Sequence, residues 1–247
     1  MSDAQARIAE LEAELAAMRR EMQSFTYAVS HDLRAPLRHI VSYAYLVQDE
    51  AGPQLDLEVQ GFLSTITDSA KHLGAMLDAL LELSRVGSVP LQMEAVSLQA
   101  LVQELVEDLG QVDANRLVQW NIAPDMPVVH SDAALLRNAL AQVLGNAVKF
   151  SRVAERPVIE VLASIDVATG NAVVTVRDNG VGFNLATLDT AFPPFQRLHH
   201  KAQFEGLGMG LAQAQKGLQR LGGGLVVASA LGEGCNVSLT GLRAFAA

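Results

Sequence analysis

The stretch SFTYAVSHDLRAPLRHI, Ser24–Ile40, places a histidine, an acid, an arginine and a proline inside an otherwise helical pattern. Histidine titrates near neutral pH, so His31 is a candidate for proton or phosphoryl chemistry. Apolar residues before it recur at alternating steps of three and four, the heptad seam of a coiled coil: Ile8, Leu11, Leu15, Met18, Met22, Phe25 and Val29. His31 follows Val29 by two residues, about 200° around a helix, and is therefore predicted to face solvent.

Pro36 lies in the same predicted helix. A proline inside a helix lacks an N–H and crowds the carbonyl four residues back, here that of Asp32. We therefore expect the helix to bend or loosen within a turn of His31. A tolerated kink and strain placed at a functional site both agree with this pattern.

Asn146 and Lys149 lie on one face of a second predicted helix. An amide oxygen suits Mg²⁺, and a lysine suits phosphate as a point charge. A solvated helix face would produce the same pair of residues.

Two glycine-containing segments follow. In RDNGVGF, Asp178 can accept a hydrogen bond from an amino group, and Gly180 and Gly182 would let the backbone approach a flat ligand. An ordinary tight turn would contain the same residues, so this alternative stays open. GLGMGL, Gly206–Leu211, leads into a predicted helix N-terminus and forms a candidate anion site. It is not a Walker loop, because no Lys-Ser or Lys-Thr follows.

These residues must be positioned by two kinds of structure. A first long helix runs to about Glu50, Gly52 and Pro53 break it, and a second amphipathic helix runs from about Asp56 to Val86. One helical hairpin cannot cover both of its apolar faces, so a dimeric four-helix bundle is predicted. A linker, residues 88–98, separates this hairpin from a mixed pattern of helices and strands.

In the mixed region, LQALVQELVEDLG and DAALLRNALAQVLGNAVKFS predict helices, the second capped by Ser131 or Asp132. RLVQWNI predicts a strand, and PVIEVLASIDVATGNAVVTVRDNG predicts a β-hairpin. GLGMGLAQAQKGLQRLG becomes a helix, and a further strand pair ends the domain. The pattern is that of an α/β domain.

Composition limits the classes of partner. The 247 residues carry a net charge of −9 and are 50% hydrophobic, which argues against nucleic acid and anionic membrane surfaces as partners. No apolar run approaches a membrane span. Cys235 is the single cysteine, which excludes an intramolecular disulfide and favours the cytoplasm.

Taken in order, these segments resemble the sensor histidine kinases of two-component systems. SHDLRAPL is similar to the family's H box, NAVKFS to the end of its N box and DNGVG to its first Gly box. FPPFQRLHH is similar to the F box and GLGMGLA to the second Gly box. The sequence FQRLH is most similar to that of the phytochrome-type kinases. The resemblance to the family runs from about Phe25 to Leu242.

The resemblance implies an N-terminal coiled coil at 1–24, a dimerisation and phosphotransfer hairpin at 25–87, the linker at 88–98 and an ATP-binding two-layer α/β sandwich of the Hsp90-like type at 99–247. His31 would accept the phosphoryl group and Asp32 would take its proton. Asn146 would hold Mg²⁺, Lys149 the phosphates and Asp178 the adenine amino group. The nucleotide pocket would be shaped by Gly180, Gly182, Gly206, Gly208 and Gly210, and 192–204 would form a mobile lid over ATP.

Three residues depart from the family pattern. Gln142 stands where the family has a second metal-binding asparagine, so the metal set would be Asn146 and Gln142. Leu207 replaces a hydroxyl residue near the phosphates. Ala35 replaces the Thr or Asn found in kinases that are also phosphatases.

The family likeness implies a homodimer that phosphorylates a response regulator receiver domain and uses ATP and Mg²⁺. Its input would come from a separate sensor protein or from a fused sensor domain. Two alternatives stay open: a dimeric scaffold that binds nucleotide without transfer, and a histidine phosphotransfer protein whose kinase domain has degenerated.

Overall fold

The computed structural model describes residues 3–87, 89–112, 118–184, 192–200 and 203–245. The chain divides into two compact units, Met1–Ser88 and Val89–Ala247. The first contains helices and the second contains helices and strands, which confirms the predicted order of a helical hairpin and an α/β domain. Residues 116–117 of the predicted RLVQWNI strand and 201–202 of the predicted lid lie outside the described residues. None of the described helices has an apolar stretch long enough to cross a membrane.

The first unit is a helical hairpin. Helix α1 spans Asp3–Ala51, a 3-10 turn covers Gly52–Gln54, and helix α2 spans Leu57–Val86. Asp56 caps α2, because its carboxylate accepts a hydrogen bond from the Val59 N–H at 2.8 Å. Helix α1 continues through Pro36, so the disturbance expected near His31 does not break the helix.

Much of the apolar surface of the hairpin stays uncovered. Packing of α1 against α2 buries a row of small and branched side chains: Ala44, Ala70, Leu77, Leu81 and Val86. The predicted seam residues before His31 remain exposed, from 38% for Val29 to 66% for Met22. A continuous apolar stripe of this kind needs a further surface to cover it.

The second unit has three helices and seven strands within the described residues. The helices are α3 (Leu98–Val112), α4 (Ala133–Ser151) and α5 (Gly210–Arg220). The strands are β1 (Met93–Ser97), β2 (Gln119–Ile122), β3 (Val128–Asp132), β4 (Val158–Ile165), β5 (Asn171–Asp178), β6 (Gly224–Ser229) and β7 (Cys235–Arg243). Five of them form one sheet in the order β2-β4-β5-β7-β6, in which β2 pairs with β4 in parallel and the other neighbours are antiparallel.

One core joins the three helices to one face of this sheet. Strand β5 buries every second side chain, Ala172, Val174 and Val176, because alternate residues of a strand point to opposite faces. Helix α4 contributes a helical stripe to the same core: Leu136, Ala139, Leu140, Val143, Leu144 and Ala147. The two layers are therefore helices on a sheet, and the polar residues of α4 stay at the edge of the core.

The predicted linker, 88–98, needs a correction, because Met93–Ser97 form strand β1. This strand pairs antiparallel with β3, from Met93 opposite Asp132 to Ser97 opposite Val128. Neither strand was predicted: β1 buries one side chain, Val96, and its partner lies far along the chain, so local periodicity gives no signal. Of the two predicted caps of α4, Asp132 makes the bond, accepting from the Leu135 N–H at 3.0 Å.

Candidate functional site

His31 lies on the solvent-facing side of the hairpin, as its register predicts. Its side chain is 69% exposed and that of Asp32 is 81% exposed. The two are joined by a hydrogen bond of 3.1 Å between His31 Nδ1 and Asp32 Oδ1. In the tautomer that is protonated on Nδ1, the His31 Nδ1–H donates to the Asp32 carboxylate, and Nε2 carries a free lone pair. Such an imidazole can attack an electrophile through Nε2 while Asp32 stabilises the positive charge that develops.

Neighbouring side chains hold this part of the hairpin in place. The ring of Tyr27, one turn earlier, stacks near the His31 imidazole with 6.3 Å between ring centres. One turn later, Arg34 Nη2 donates to Asp78 Oδ1 on α2 at 2.7 Å. The pair links the two helices next to the histidine, although its partial exposure means that it adds little stability.

In the second unit, Asp178 is the last residue of β5 and lines an apolar cavity. The Gly180 N–H donates to Asp178 Oδ1 at 2.9 Å. Burial raises the pKa of the Asp178 carboxyl to about 6, and backbone hydrogen bonds from Gly180 and Cys235 oppose that rise. The apolar walls are formed by Val143, Ala147, Phe150, Val176, Phe183, Leu211 and Val237. A half-buried carboxyl among apolar walls can accept a hydrogen bond from an amino group on a flat, apolar ring system.

Gly180 and Gly182 are required by the packing of their own loop. A Cβ on Gly180 would lie 2.4 Å from the Phe150 carbonyl oxygen, and one on Gly182, whose φ is +55°, would lie 2.0 Å from the Ala230 carbonyl oxygen. We predicted that these glycines let the backbone approach a ligand. At both positions the close neighbour is protein backbone, although Gly182 also lines the cavity.

Residues of α4 meet the second glycine segment at the start of α5. A Cβ on Gly210 would lie 2.7 Å from Gln142 Oε1 and 3.3 Å from Asn146 Nδ2, and one on Gly206 would lie 3.4 Å from Lys149 Nζ. The structure thus brings Gln142, Asn146 and Lys149 to the glycine segment. Gly208 instead faces the chain before it, since its Cβ would lie 2.3 Å from the Gln196 carbonyl oxygen.

This end of the site is arranged for an anion. Helix α5 begins without a side-chain cap, and uncapped N–H groups at a helix start attract negative charge. Burial, followed by the nearby Arg197 guanidinium, lowers the pKa of Lys149, whose Nζ lies 4.3 Å from the centre of the Phe150 ring. A partly dehydrated lysine beside a second cation gains strongly from a phosphate that neutralises both.

Sequence reasoning placed Arg197 and His199, both in FQRLHH, in the predicted lid and gave neither an individual role. The Arg197 guanidinium donates to the carbonyl of Phe204 at 2.7 Å and to that of Gly206. His199 lines the same cavity as Asp178. The available sequence signal for a functional role was the mixture of basic and aromatic residues in this segment.

Two family models match the chain in the order in which these sites occur. The model of the "His Kinase A (phospho-acceptor) domain" matches residues 21–89, and that of the "Histidine kinase-, DNA gyrase B-, and HSP90-like ATPase" matches residues 131–243. The chain contains a sensor histidine kinase catalytic core. Its two units carry the phosphoacceptor and the ATPase domains of that core.

Two relatives of this kinase core support the assignment. It is 30% identical over 234 residues to cyanobacterial phytochrome B of Nostoc sp., covering 94% of this chain and 31% of that protein. It is 28% identical over 203 residues to the cell-division control histidine kinase PdhS of Brucella ovis, covering 76% of this chain and 19% of that protein. The kinase core therefore spans about a third or less of these curated relatives.

A solved structure shares the fold. Full-length ShkA in complex with AMPPNP superposes with a TM-score of 0.63 at 24% identity, covering 90% of this chain and 46% of that one. At that identity the likeness concerns the fold alone.

Proposed function

We propose that this kinase core uses ATP to phosphorylate His31 and then passes the phosphoryl group to an aspartate of a response regulator. The observation that carries the proposal is the meeting of Asn146, Lys149 and the Gly206–Gly210 segment beside the Asp178 cavity, in a chain that also exposes the His31–Asp32 pair. The first set suits a nucleotide, and the second supplies a nucleophile.

The proposed nucleotide site has an apolar and a polar end. Asp178 would accept a hydrogen bond from the adenine amino group within the apolar cavity, and Lys149 with the start of α5 would hold the phosphates. The glycines at 180, 182, 206, 208 and 210 would keep these parts together. The ShkA structure, solved with AMPPNP, supports a nucleotide of this kind as the ligand.

In the proposed reaction, His31 Nε2 attacks the γ-phosphorus of ATP. A nitrogen–phosphorus bond forms, the bond to the β,γ-bridging oxygen breaks, and ADP leaves. The Nδ1 proton passes to Asp32, which already accepts its hydrogen bond. Phosphoryl transfer needs mainly positioning and charge neutralisation, which agrees with the small number of reactive side chains.

Asn146 and Gln142 fit a magnesium site that is completed by nucleotide phosphates. Their amides lie together at Gly210, where phosphate would approach the start of α5, and amide oxygens are suitable ligands for this hard cation. Bound Mg²⁺ would supply charge neutralisation at the phosphates. Neither side chain is charged, so we expect affinity for Mg²⁺ to depend on bound nucleotide.

We further propose that two copies of the chain pair through the exposed seam from Ile8 to Val29 and through the hairpin, forming a parallel homodimer with a four-helix bundle. A second copy would cover apolar side chains that one hairpin leaves exposed. A receiver domain would then collect the phosphoryl group, and the single cysteine favours a cytoplasmic setting.

Incubation of the protein with γ-labelled ATP and Mg²⁺ tests the proposal. We expect label on the protein that is lost in acid and retained in base, as for a phosphohistidine. Bound nucleotide without label would instead support the scaffold alternative. Gln142 and Leu207, which depart from the family pattern, favour that alternative. Label acquired from a phosphorylated regulator and never from ATP would support the phosphotransfer alternative.

A further inference from the structure

His199 has a distinctive place in the nucleotide cavity. Its imidazole packs among three aromatic rings, with 5.1 Å between ring centres to Phe150, 5.3 Å to Phe204 and 6.5 Å to Phe183. It lines the same cavity as Asp178. The ring therefore forms part of the wall against which a flat ligand would lie.

The rings around His199 are held more firmly than His199 itself. Phe204 is 3% exposed, the Arg152 guanidinium lies 4.7 Å from its ring centre, and its carbonyl accepts from Arg197. Phe150 is part of helix α4. Across the described ranges, by contrast, the His199 imidazole makes ring contacts and no hydrogen bond. Its side chain can thus rotate without breaking a polar interaction.

The cavity is small with His199 in this position. Its volume is about 40 Å³, enough for a few water molecules and well below the roughly 150 Å³ of a cavity that binds a single benzene ring. Val143 and Val176 line the cavity from α4 and β5, and each is 1% exposed. Moving such core side chains is costly, whereas His199 is partly exposed and is held by ring contacts alone, so it is the lining residue best able to make space for a base.

We infer that His199 is a gate residue that sets the size of the base pocket: its imidazole occupies space that a purine needs and swings out when the base enters. The inference rests on the proposed nucleotide binding and adds the residue that limits it. A pocket closed for part of the time binds more weakly, in proportion to the fraction of molecules that are open.

Electrostatics favour the inward position of the neutral ring. Burial, and then the charge of Lys149, lower the pKa of His199, which favours the uncharged imidazole in this position. The charged groups around the cluster are Lys149 and Arg152, with Arg197 and Glu205 beside them and the Asp178 carboxyl in the cavity wall. An uncharged ring enters this apolar cluster at little cost, whereas a protonated one would meet the repulsion of Lys149.

Calorimetric titration with AMPPNP and Mg²⁺ tests the gate. His199→Ala opens the pocket permanently and is expected to bind about 3–10-fold more tightly than the unsubstituted protein. His199→Trp enlarges the obstruction and is expected to bind more weakly. His39→Ala is the control, because His39 is an exposed histidine in the other unit of the chain, and its AMPPNP affinity should not change.

Affinity of His199→Ala equal to or below that of the unsubstituted protein would overturn the gate. If none of these proteins, the unsubstituted one included, binds AMPPNP, the proposed nucleotide binding fails instead. A second measurement needs no variant. Nuclear Overhauser contacts from the His199 ring to the rings of Phe150 and Phe204 should be present without nucleotide and lost at saturating AMPPNP. Contacts that persist at saturation would also overturn the inference.

Discussion

The hairpin and the α/β domain differ in how completely their apolar side chains are buried. In the α/β domain, Leu136, Leu140, Ile159 and Leu239 are fully buried within one chain. In the hairpin, seam residues such as Met22 remain more than half exposed. The α/β domain thus completes its core within one chain, whereas the hairpin keeps exposed apolar side chains that a second copy would cover in the proposed dimer.

The reactive groups follow the same division. Lys149 and Asp178 are partly buried and their pKa values are shifted by burial, so the groups proposed to bind nucleotide lie inside the domain. His31 and Asp32 are exposed and contact each other. The comparison teaches that binding depends on the interior of one unit, while the nucleophile has to be accessible on the other.

His31→Gln is the substitution that should separate the functions of the two regions most clearly. Glutamine lacks a nucleophilic ring nitrogen, so we expect phosphoryl incorporation to fall to background while AMPPNP affinity stays unchanged, because His31 and the cavity belong to different units. Radiolabel incorporation and calorimetry measure the two effects. His39→Gln is the control, since His39 is exposed on the same helix and should label normally. Labelling of His31→Gln at the original level would refute its role.

Asp178→Asn should act on the other region, lowering nucleotide affinity while stabilising the empty domain. Loss of a charge-assisted hydrogen bond is worth about 1.5–3 kcal/mol, or about 10–150-fold in affinity. The pKa of Asp178 is raised from 3.8 to about 6, so its stabilising contribution is present below pH 3.8 and is lost as pH rises through 6. At pH 7 we therefore expect Asn to raise the free energy of unfolding by about 1–2 kcal/mol, reduced for partial exposure.

Urea unfolding at pH 7 and at pH 3.5 checks the sign, because the gain should vanish at the lower pH. Asp166→Asn is the opposite control. Hydrogen bonds, first from the Thr169 side chain, lower the pKa of Asp166, so its replacement should destabilise the domain at pH 7 without changing nucleotide affinity. A loss of stability in Asp178→Asn at pH 7, or unchanged affinity, would count against this account of the carboxyl.

Replacing Leu15 and Met22 with Glu tests whether the exposed seam is a dimer surface. Each substitution forfeits the roughly 1.5–3 kcal/mol gained by burying such a side chain, so the dimer dissociation constant should rise at least about tenfold. The bundle should still allow a dimer at higher concentration. Analytical ultracentrifugation measures the change, with Glu14→Gln and Glu21→Gln as controls off the seam. A monomeric unsubstituted protein at micromolar concentration would contradict the architecture.

Gln142→Asn is expected to have the smallest effect. A shorter amide restores the family's usual metal ligand, so we expect the Mg²⁺ concentration needed for half-maximal AMPPNP binding to fall by roughly threefold, under 1 kcal/mol. Asn146→Ala should raise that concentration strongly and serves as the reference. An unchanged Mg²⁺ requirement in both variants would remove the two amides from the metal site.

Local pattern was sufficient for the long elements. The seam register predicted that His31 faces solvent, and Gly52 and Pro53 marked the end of α1, because these signals lie within a few residues of what they determine. Strands β1 and β3 could not be predicted in this way, since their pairing joins distant segments and β1 buries only Val96. The same limit hid His199, whose ring contacts depend on tertiary packing of Phe150 and Phe204.

The central claim is that this chain phosphorylates its own His31 from ATP. Peptide mapping by mass spectrometry under non-acidic conditions, after incubation with ATP and Mg²⁺, tests it most directly. We predict one phosphoryl group, on the peptide that contains His31, removed by acid and retained in base. A phosphoryl group on any other residue, or none although nucleotide is bound, would contradict the account.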